Sequence, residues 1–169
     1  DFDNKRVILV PAHRRENLGE PLQNICRAIL NAANAAEDVE VVYPVHLNPL
    51  VRNTANEILG NHSRIHLIDP LDVTELHNLM DRCYMVMTDS GGLQEEAPAL
   101  GKPVLVLRKE TERPEAVQAG TVKLAGVDRQ AILCMAEQLL DDPAAYAAMA
   151  HAVNPYGDGQ ACRRIADAI

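Results

Sequence analysis

Residues 88–96 read Thr-Asp-Ser-Gly-Gly-Leu-Gln-Glu-Glu, and they join a short apolar run to a segment with a helical pattern. Open α/β proteins bind phosphate at such a junction, because the first backbone N–H groups of a helix are unpaired and carry about half a positive charge. Gly91 and Gly92 lack the Cβ atoms that would hold a diphosphate away. The spacing of the Ser90-Gly91-Gly92 turn fits neither the G-x-G-x-x-G of dinucleotide folds nor a P-loop ending in lysine. Neither NAD nor ATP is therefore the first expectation.

The rest of the chain alternates strand-like and helix-like segments. Apolar, β-branched runs predict strands at 6–11, 39–45, 64–68, 84–88, 104–107 and 121–124. Helical patterns between most of them predict βαβ units and a parallel sheet. The runs are continuously apolar, as expected for strands that helices cover on both faces. We expect an α/β fold, a doubly wound parallel sheet of the Rossmann type, in a single domain over residues 1–169.

Several helix boundaries carry their own signals. Apolar residues at helical spacing predict a helix within 17–36. Asn48-Pro49 predicts the start of the next helix and Gly60 its end, while Asp72 is expected to cap a third. Further helices are expected at 128–140, 142–150 and 160–169.

The final predicted helix exposes apolar residues near the end of the sequence. It carries Ile165 and Ile169, and we expect it to pack on a segment that this sequence does not contain. The first strand begins near residue 5 with no helix before it. Both features suggest the C-terminal half of a two-domain protein.

Composition and charge exclude several classes of function. A net charge of −8 and an aromatic content of 3% argue against a nucleic-acid partner. No run of about eighteen apolar residues is present, so no membrane span is expected. The opening residues 1–6 lack the apolar region of a signal peptide, which predicts a cytoplasmic protein. The cysteines are far apart and lack metal-ligand spacing, so we expect reduced, structural thiols and no metal site.

Charged and imidazole side chains follow several predicted strands, at the edge where open α/β sheets bind ligands. His13, Arg14 and Arg15 follow the first strand, His46 ends the second, and Arg113 follows the fifth. An arginine fork suits bidentate contact with a phosphate, and we expect Glu112 or Glu115 to orient Arg113. The alternatives are a surface Arg/Glu cluster, a solvated loop and a structural histidine.

A glutamate in the helix after the glycine turn is a candidate ribose ligand. Helical spacing places Leu93, Glu96, Ala97 and Leu100 on one stripe, with Gln94 and Glu95 facing away. Glu96 would then border the buried face, where a carboxylate needs donors. A ribose diol supplies two hydroxyl donors. A solvated, ion-paired glutamate is the alternative.

A series of short motifs resembles one family along essentially the whole chain. The motifs are His13-Arg-Arg-Glu-Asn17, Tyr43-Pro-Val-His-Leu-Asn-Pro49, Thr88-Asp-Ser-Gly-Gly-Leu-Gln-Glu-Glu-Ala-Pro98, Gly101-Lys-Pro-Val-Leu105, Thr111-Glu-Arg-Pro-Glu-Ala116, Gly120-Thr121 and Asn154-Pro-Tyr-Gly-Asp-Gly159. Together they resemble the C-terminal half of the non-hydrolysing UDP-N-acetylglucosamine 2-epimerases. The resemblance implies the C-terminal domain of a GT-B fold, whose active site lies in the cleft between two domains.

The resemblance also implies a reaction. Family members interconvert UDP-GlcNAc and UDP-ManNAc without NAD or metal, so no cofactor is expected. UDP leaves by anti elimination to give a 2-acetamidoglucal, and it adds back after the configuration at C2 has changed. The product, UDP-ManNAc, would supply ManNAc for the synthesis of surface polysaccharide.

Roles for single residues follow from the same resemblance. Ser90, Gly91 and Gly92 would hold the diphosphate, and Glu96 would hold the ribose hydroxyls. His13 and Arg113 would lie beside the oxygen of the departing UDP, with His13 as the catalytic residue. Arg14 and His46 would contact a second UDP-GlcNAc, which activates bacterial relatives.

Two departures from the family limit what this chain is expected to do. Relatives often have aromatic residues where this chain has Val73 and Leu76, so aliphatic contact would replace stacking on the uracil. The carboxylates that move the C2 proton belong to the N-terminal half, which this sequence lacks. We expect the chain to bind UDP without catalysing, and the full-length enzyme to be a homodimer.

Other functions remain open from sequence alone. One is the donor half of a GT-B glycosyltransferase, which shares the glycine loop and the ribose-binding glutamate. The other is a non-catalytic nucleotide-binding or flavodoxin-like module, whose length this chain matches.

Overall fold

The computed structural model describes residues 3–169. Residues 1 and 2 lie outside the described residues. They belong to the opening stretch, 1–6, in which the sequence predicts no signal peptide. Within the described part of the chain, no helix has both the length and the apolar character needed to cross a membrane.

Six parallel strands form one sheet. They are β1 (Arg6–Leu9), β2 (Val39–Pro44), β3 (Ile65–Ile68), β4 (Met85–Thr88), β5 (Val104–Val106) and β6 (Val122–Leu124). Their order across the sheet is β3-β2-β1-β4-β5-β6. The chain winds outward from β1 in one direction and from β4 in the other, so the predicted doubly wound sheet is confirmed.

Eight helices follow or flank these strands in residues 3–169. They are α1 (Glu20–Ala35), α2 (Pro49–Leu59), α3 (Val73–Arg82), α4 (Leu93–Ala99), α5 (Pro114–Ala119), α6 (Arg129–Asp141), α7 (Pro143–Ala150) and α8 (Ala161–Ala168). The predicted Asn48 cap is confirmed, because its side chain accepts from Leu50 N. Asp72 caps α3 in a reciprocal capping box with Glu75.

Helices cover both faces of the sheet. Ile8 points into a core that α1, α2 and α6 complete, whereas Val7 and Leu9 point into a core formed with α3, α4 and α5. All three side chains are at most 2% exposed. Burial on both faces explains why the strand sequences are continuously apolar rather than alternating.

The direction of winding reverses between β1 and β4, and ligands of open α/β sheets bind at this switch point. The loops that follow β1 and β4 leave the carboxyl edge of the sheet side by side. Residues 10–19 form the first loop, with a short 3₁₀ turn at Arg15–Asn17, and the Ser90-Gly91-Gly92 turn forms the second. The fold thus places two of the sequence-predicted motifs together.

The C-terminal helix and the cysteines lie apart from this edge. Every residue of α8 is exposed, and no part of the described chain covers it. Cys26 and Cys83 are buried, and burial raises the pKa of each thiol to about 12, which keeps them protonated. Cys134 and Cys162 are exposed, so the expectation that all the cysteines are structural is wrong for these two.

Candidate functional site

Asp89 joins the two loops at the switch point. Its carboxylate is 1% exposed and accepts hydrogen bonds from the backbone N–H of His13 at 3.0 Å and of Arg14 at 2.8 Å. The buried Asn17 amide donates a further bond at 2.9 Å. One buried carboxylate at the end of β4 therefore fixes the backbone that carries His13 and Arg14. The sequence reasoning gave Asp89 no role.

The Ser90-Gly91-Gly92 turn follows directly. Thr88 Oγ1 donates to the carbonyl oxygen of Pro11 at 2.7 Å and accepts from Ser90 N at 3.0 Å. Among residues 3–169, the N–H groups of Gly91 and Gly92 donate no hydrogen bond to a backbone oxygen. The glycines also allow close approach, since a Cβ atom on Gly91 would lie 3.0 Å from Glu112 Oε1.

The orientation of α4 differs from the predicted stripe. The buried residues are Leu93, Gln94, Ala97 and Pro98, whereas Glu96 and Leu100 are exposed. Gln94 is fully buried because its amide is satisfied: Nε2 donates to Ser90 O at 3.3 Å, and Oε1 accepts from Thr111 Oγ1 at 2.5 Å. The expectation that Gln94 faces away and Glu96 borders the core is therefore wrong. A buried polar residue with partners cannot be recognised from hydrophobic spacing.

Glu96 instead lies at the mouth of a groove between α3 and α4. The groove has a volume of about 550 Å³, and Val73, His77 and Leu100 line it beside Glu96. Glu96 Oε2 lies 2.9 Å from His77 Nε2. On its other side, Glu96 Oε1 would lie 3.2 Å from a Cβ atom built on Gly92. The carboxylate therefore lies between the groove and the glycine turn.

The two residues that depart from the family pattern have separate places. Val73 is 70% exposed and lines the groove. Leu76 packs against the core under α3 and α4. Of this pair, Val73 is the residue that presents aliphatic surface to the groove.

Arg113 is held against α4. Its Nε donates to a carboxylate oxygen of Glu95, and its Nη1 donates to the backbone carbonyl of Glu112 at 3.3 Å. The hydrogen bond to Glu95 raises the pKa of the guanidinium above its usual value. We expected Glu112 or Glu115 to orient Arg113. Glu112 contacts it through its backbone carbonyl, but the carboxylate that holds the guanidinium is that of Glu95 on α4.

Arg14 and Arg108 share one carboxylate near Gly91. Glu112 Oε2 accepts from Arg108 Nη1 at 2.5 Å, and Glu112 Oε1 lies 3.5 Å from Arg14 Nη2. A backbone hydrogen bond chiefly lowers the pKa of Glu112, and these guanidiniums lower it further. Arg108 also pairs with Glu16 at 2.9 Å. The cations beside the glycine turn are therefore balanced by carboxylates in this structure.

His13 and His46 come together at the ends of β1 and β2. Their rings stack with centroids 5.1 Å apart and an interplanar angle of 4°. His46 Nδ1 accepts from the backbone N–H of Asn48 at 3.1 Å, which fixes that ring at the start of α2. Among residues 3–169, no three His, Cys, Asp or Glu side chains group as metal ligands would.

The fold and these loops define an α/β protein of the doubly wound, Rossmann-like class. The sequence pattern of the UDP-N-acetylglucosamine 2-epimerase family matches residues 1–169, and the chain belongs to that family. The B. subtilis UDP-N-acetylglucosamine 2-epimerase is 57% identical over 164 residues, which are 97% of this chain and 43% of the relative.

Solved relatives have the same fold. The S. aureus MnaA–UDP structure is 51% identical with a TM-score of 0.94, and it matches 98% of this chain and 45% of its own. The Neisseria meningitidis UDP-GlcNAc 2-epimerase bound to UDP-GlcNAc is 48% identical with a TM-score of 0.93, again over 98% of this chain and 45% of its own. This chain spans somewhat less than half the length of these relatives, and it corresponds to their C-terminal half.

The glycosyltransferase alternative receives support only at the level of fold. The C-terminal domain of a Francisella tularensis glycosyl transferase group 1 protein matches 87% of this chain and 81% of its own, with a TM-score of 0.68 and 15% identity. Both proteins therefore share the GT-B type of C-terminal domain.

Proposed function

We propose that this chain is the UDP-binding half of an epimerase that interconverts UDP-GlcNAc and UDP-ManNAc by elimination and re-addition of UDP. Family membership over residues 1–169 supports the proposal. So does the close structural likeness to relatives that were solved with UDP and with UDP-GlcNAc.

The position of Glu96 is the observation that carries this proposal. The carboxylate lies between a groove of about 550 Å³ and the Gly91-Gly92 turn. A uridine diphosphate has its ribose between the base and the phosphates, so the base would enter the groove beside Val73. The ribose hydroxyls would then donate to Glu96, which is a stronger bond than a neutral acceptor would give. The phosphates would reach the free N–H groups of Gly91 and Gly92.

Hydrogen-bond donors at the same edge serve the bond-breaking step. When the bond from C1 to the UDP oxygen breaks, negative charge grows on the diphosphate, and preorganised donors near that oxygen lower the barrier. His13 and Arg113 are the proposed donors. Asp89 fixes the backbone of His13, and Glu95 fixes the guanidinium of Arg113, so neither group depends on a free loop for its position.

Proton transfer at C2 is proposed to depend on residues outside this chain. We assign it to carboxylates of the N-terminal half, and we expect the chain alone to bind UDP without turnover. Joined to that half, it would act as a cytoplasmic homodimer that uses no cofactor.

Arg14 and His46 are proposed to contact a second UDP-GlcNAc that activates the enzyme. Arg14 points toward Gly91 and Glu112, while His46 stacks on His13. The two residues therefore lie on either side of His13 at the switch point. An activator held there would sit next to the proposed leaving group.

Titration of the chain with UDP, UMP, ADP and FMN tests the binding proposal. We expect tightest binding of UDP, and Glu96→Ala should weaken it by about 1–3 kcal/mol through the loss of charge-assisted hydrogen bonds. Glu57→Ala is the matched control, because Glu57 is an exposed glutamate of α2 far along the chain from the site. Equal affinity for UDP and ADP, or preference for FMN, would reject the epimerase assignment and the glycosyltransferase alternative.

Catalysis is tested in the full-length enzyme. Deuterium from solvent should enter C2 of UDP-GlcNAc, and His13→Ala should slow release of UDP from C1 by about 100-fold or more, as loss of one preorganised donor does. A glycosyltransferase would leave C2 unlabelled. Unchanged turnover in His13→Ala would remove His13 from the reaction.

A further inference from the structure

His77 is a groove residue to which the spacing of motifs gave no function. It lies on α3, and its Nε2 is 2.9 Å from Glu96 Oε2 on α4. Both side chains are 47% exposed, and both line the same groove. The pair therefore joins the two helices at the place where a ligand would enter.

We propose that His77 is a positioning residue that orients Glu96 for recognition of a ribose diol, an inference that rests on the proposed function. A carboxylate only accepts hydrogen bonds, so the contact requires the hydrogen on Nε2. The bond occupies Oε2 and leaves Oε1 beside Gly92, where it faces the turn proposed to hold the diphosphate. The 2′ and 3′ hydroxyls of a nucleotide then donate to an oxygen whose position is already set.

The structure gives His77 a rigid base from which to act. The Asp72 and Glu75 capping box fixes the first turn of α3, and Leu76 and Met80 on its inner face pack against the core. Glu96, by contrast, has a flexible side chain on the short, seven-residue helix α4. Holding that side chain in one conformation before binding removes an ordering cost that the ligand would otherwise bear.

In the described part of the chain around the His77–Glu96 pair, His77 is the one ion-pair partner of the Glu96 carboxylate, and the pair is not part of a larger network of charges. Asp81 lies one turn further along α3 and lines the same groove, and among residues 3–169 Glu96 makes its only side-chain ion pair with His77. Without His77, no other side chain among residues 3–169 pairs with the Glu96 carboxylate, and a second carboxylate, Asp81, lines the groove. Its preferred position would then no longer be beside Gly92.

The inference predicts a change in sugar selectivity. In the parent chain, UDP should bind more tightly than 2′-deoxy-UDP, because the deoxy ligand leaves an acceptor of Glu96 unpaired. His77→Leu should weaken UDP binding by about 3- to 10-fold, the effect of releasing one ordered side chain. It should weaken binding of the deoxy ligand less, so that the preference for ribose falls.

Three variants separate positioning from a structural role. His77→Gln places an amide N–H close to the position of Nε2 and should restore both affinity and ribose preference. In a Glu96→Ala background, His77→Leu should have no further effect on UDP affinity, because the carboxylate that His77 orients is already absent. His62→Leu is the matched control, since His62 also pairs with a side-chain oxygen, that of Asn34 at 3.1 Å, but away from the groove.

Calorimetric titration of each variant with UDP and 2′-deoxy-UDP, together with its thermal unfolding midpoint, decides the matter. Loss of ribose preference in His77→Leu, with recovery in His77→Gln, is the expected result. Equal weakening of both ligands, or failure of His77→Gln to recover, would overturn the role of His77 while leaving the UDP site in place. Absence of UDP binding by the parent chain would overturn the proposed function and this inference together.

Discussion

Replacement of Asp89 by asparagine should both destabilise the fold and loosen the site. The buried carboxylate receives donors on both oxygens: Oδ2 accepts from Arg14 N at 2.8 Å and from the Asn17 amide at 2.9 Å. The N–H of His13 is shared between Oδ1 at 3.0 Å and Oδ2 at 3.1 Å. Asparagine keeps one acceptor oxygen and puts an NH₂ group where the other oxygen was. A donor would then face a donor inside the protein.

The expected cost follows from these contacts. If the amide oxygen keeps the bonds from Arg14 N and Asn17, each changes from a charged to a neutral acceptor and loses about 1 kcal/mol. The N–H of His13 keeps only its longer bond, to the retained oxygen at 3.1 Å, and faces the new NH₂ group at 3.0 Å, which costs about 1–2 kcal/mol more, the lower part of the cost of an unsatisfied donor. A total of about 3–4 kcal/mol is a large part of the 5–15 kcal/mol that usually separates folded from unfolded domains.

Urea denaturation of Asp89→Asn and of the exposed control Asp141→Asn measures this difference. The control should change the unfolding free energy by no more than about 0.5 kcal/mol. UDP affinity should fall in Asp89→Asn alone, because the His13 loop is no longer tied to β4. An unfolding free energy within about 0.5 kcal/mol of the parent would refute the assignment of Asp89 as the link between the loops.

Two further predictions concern charge. Glu112→Gln should tighten UDP binding by about 3-fold at low salt, because it removes a negative charge beside Gly91. The gain in affinity should shrink as the salt concentration rises. Weaker UDP binding, measured by calorimetry, would show instead that Glu112 orients Arg14 and Arg108. The hydrogen bond from Arg6, at 2.6 Å, lowers the pKa of Asp38 in the folded protein. The ionised carboxylate therefore stabilises the fold at pH values above its unfolded pKa of about 4. This contribution is lost as the pH falls through the lower pKa of the folded state. Asp38→Asn should therefore show a flatter loss of thermal stability below about pH 4 than the parent, and parallel curves would contradict this.

The fold was largely predictable because its signals are local. Each strand is a continuous apolar run, and the structure places all six within two residues of the predicted bounds. The caps at Asn48 and Asp72 are set by residues within one turn of the helix start. Connections between parallel neighbours account for the order within β1-β2-β3 and within β4-β5-β6, whereas the chain crosses from β3 at the edge to β4 beside β1.

The site was predictable only in part, since its residues act through contacts that are distant in sequence. The location of the glycine turn and of the strand-end loops at the carboxyl edge of the sheet was predictable from their position in the chain alone. Asp89, Gln94 and His77 were missed or misplaced, because each depends on a partner that lies 17 to 76 residues away. Polar side chains carry no hydrophobic period, so only the folded chain identifies which of them are satisfied and buried.

These long-range contacts also give the site its electrostatic state before a ligand arrives. Arg113 is paired with Glu95, Arg108 with Glu16 and Glu112, and Arg14 lies near Glu112. A diphosphate that enters must either share these guanidiniums with the carboxylates or displace them. Sharing would keep each arginine fixed in direction and lower the gain from binding. In the proposed elimination, the same interaction would strengthen as negative charge grows on the departing UDP. In the proposed reaction, an arrangement of this kind would favour the transition state over the bound nucleotide sugar, which is the condition for catalysis rather than tight binding.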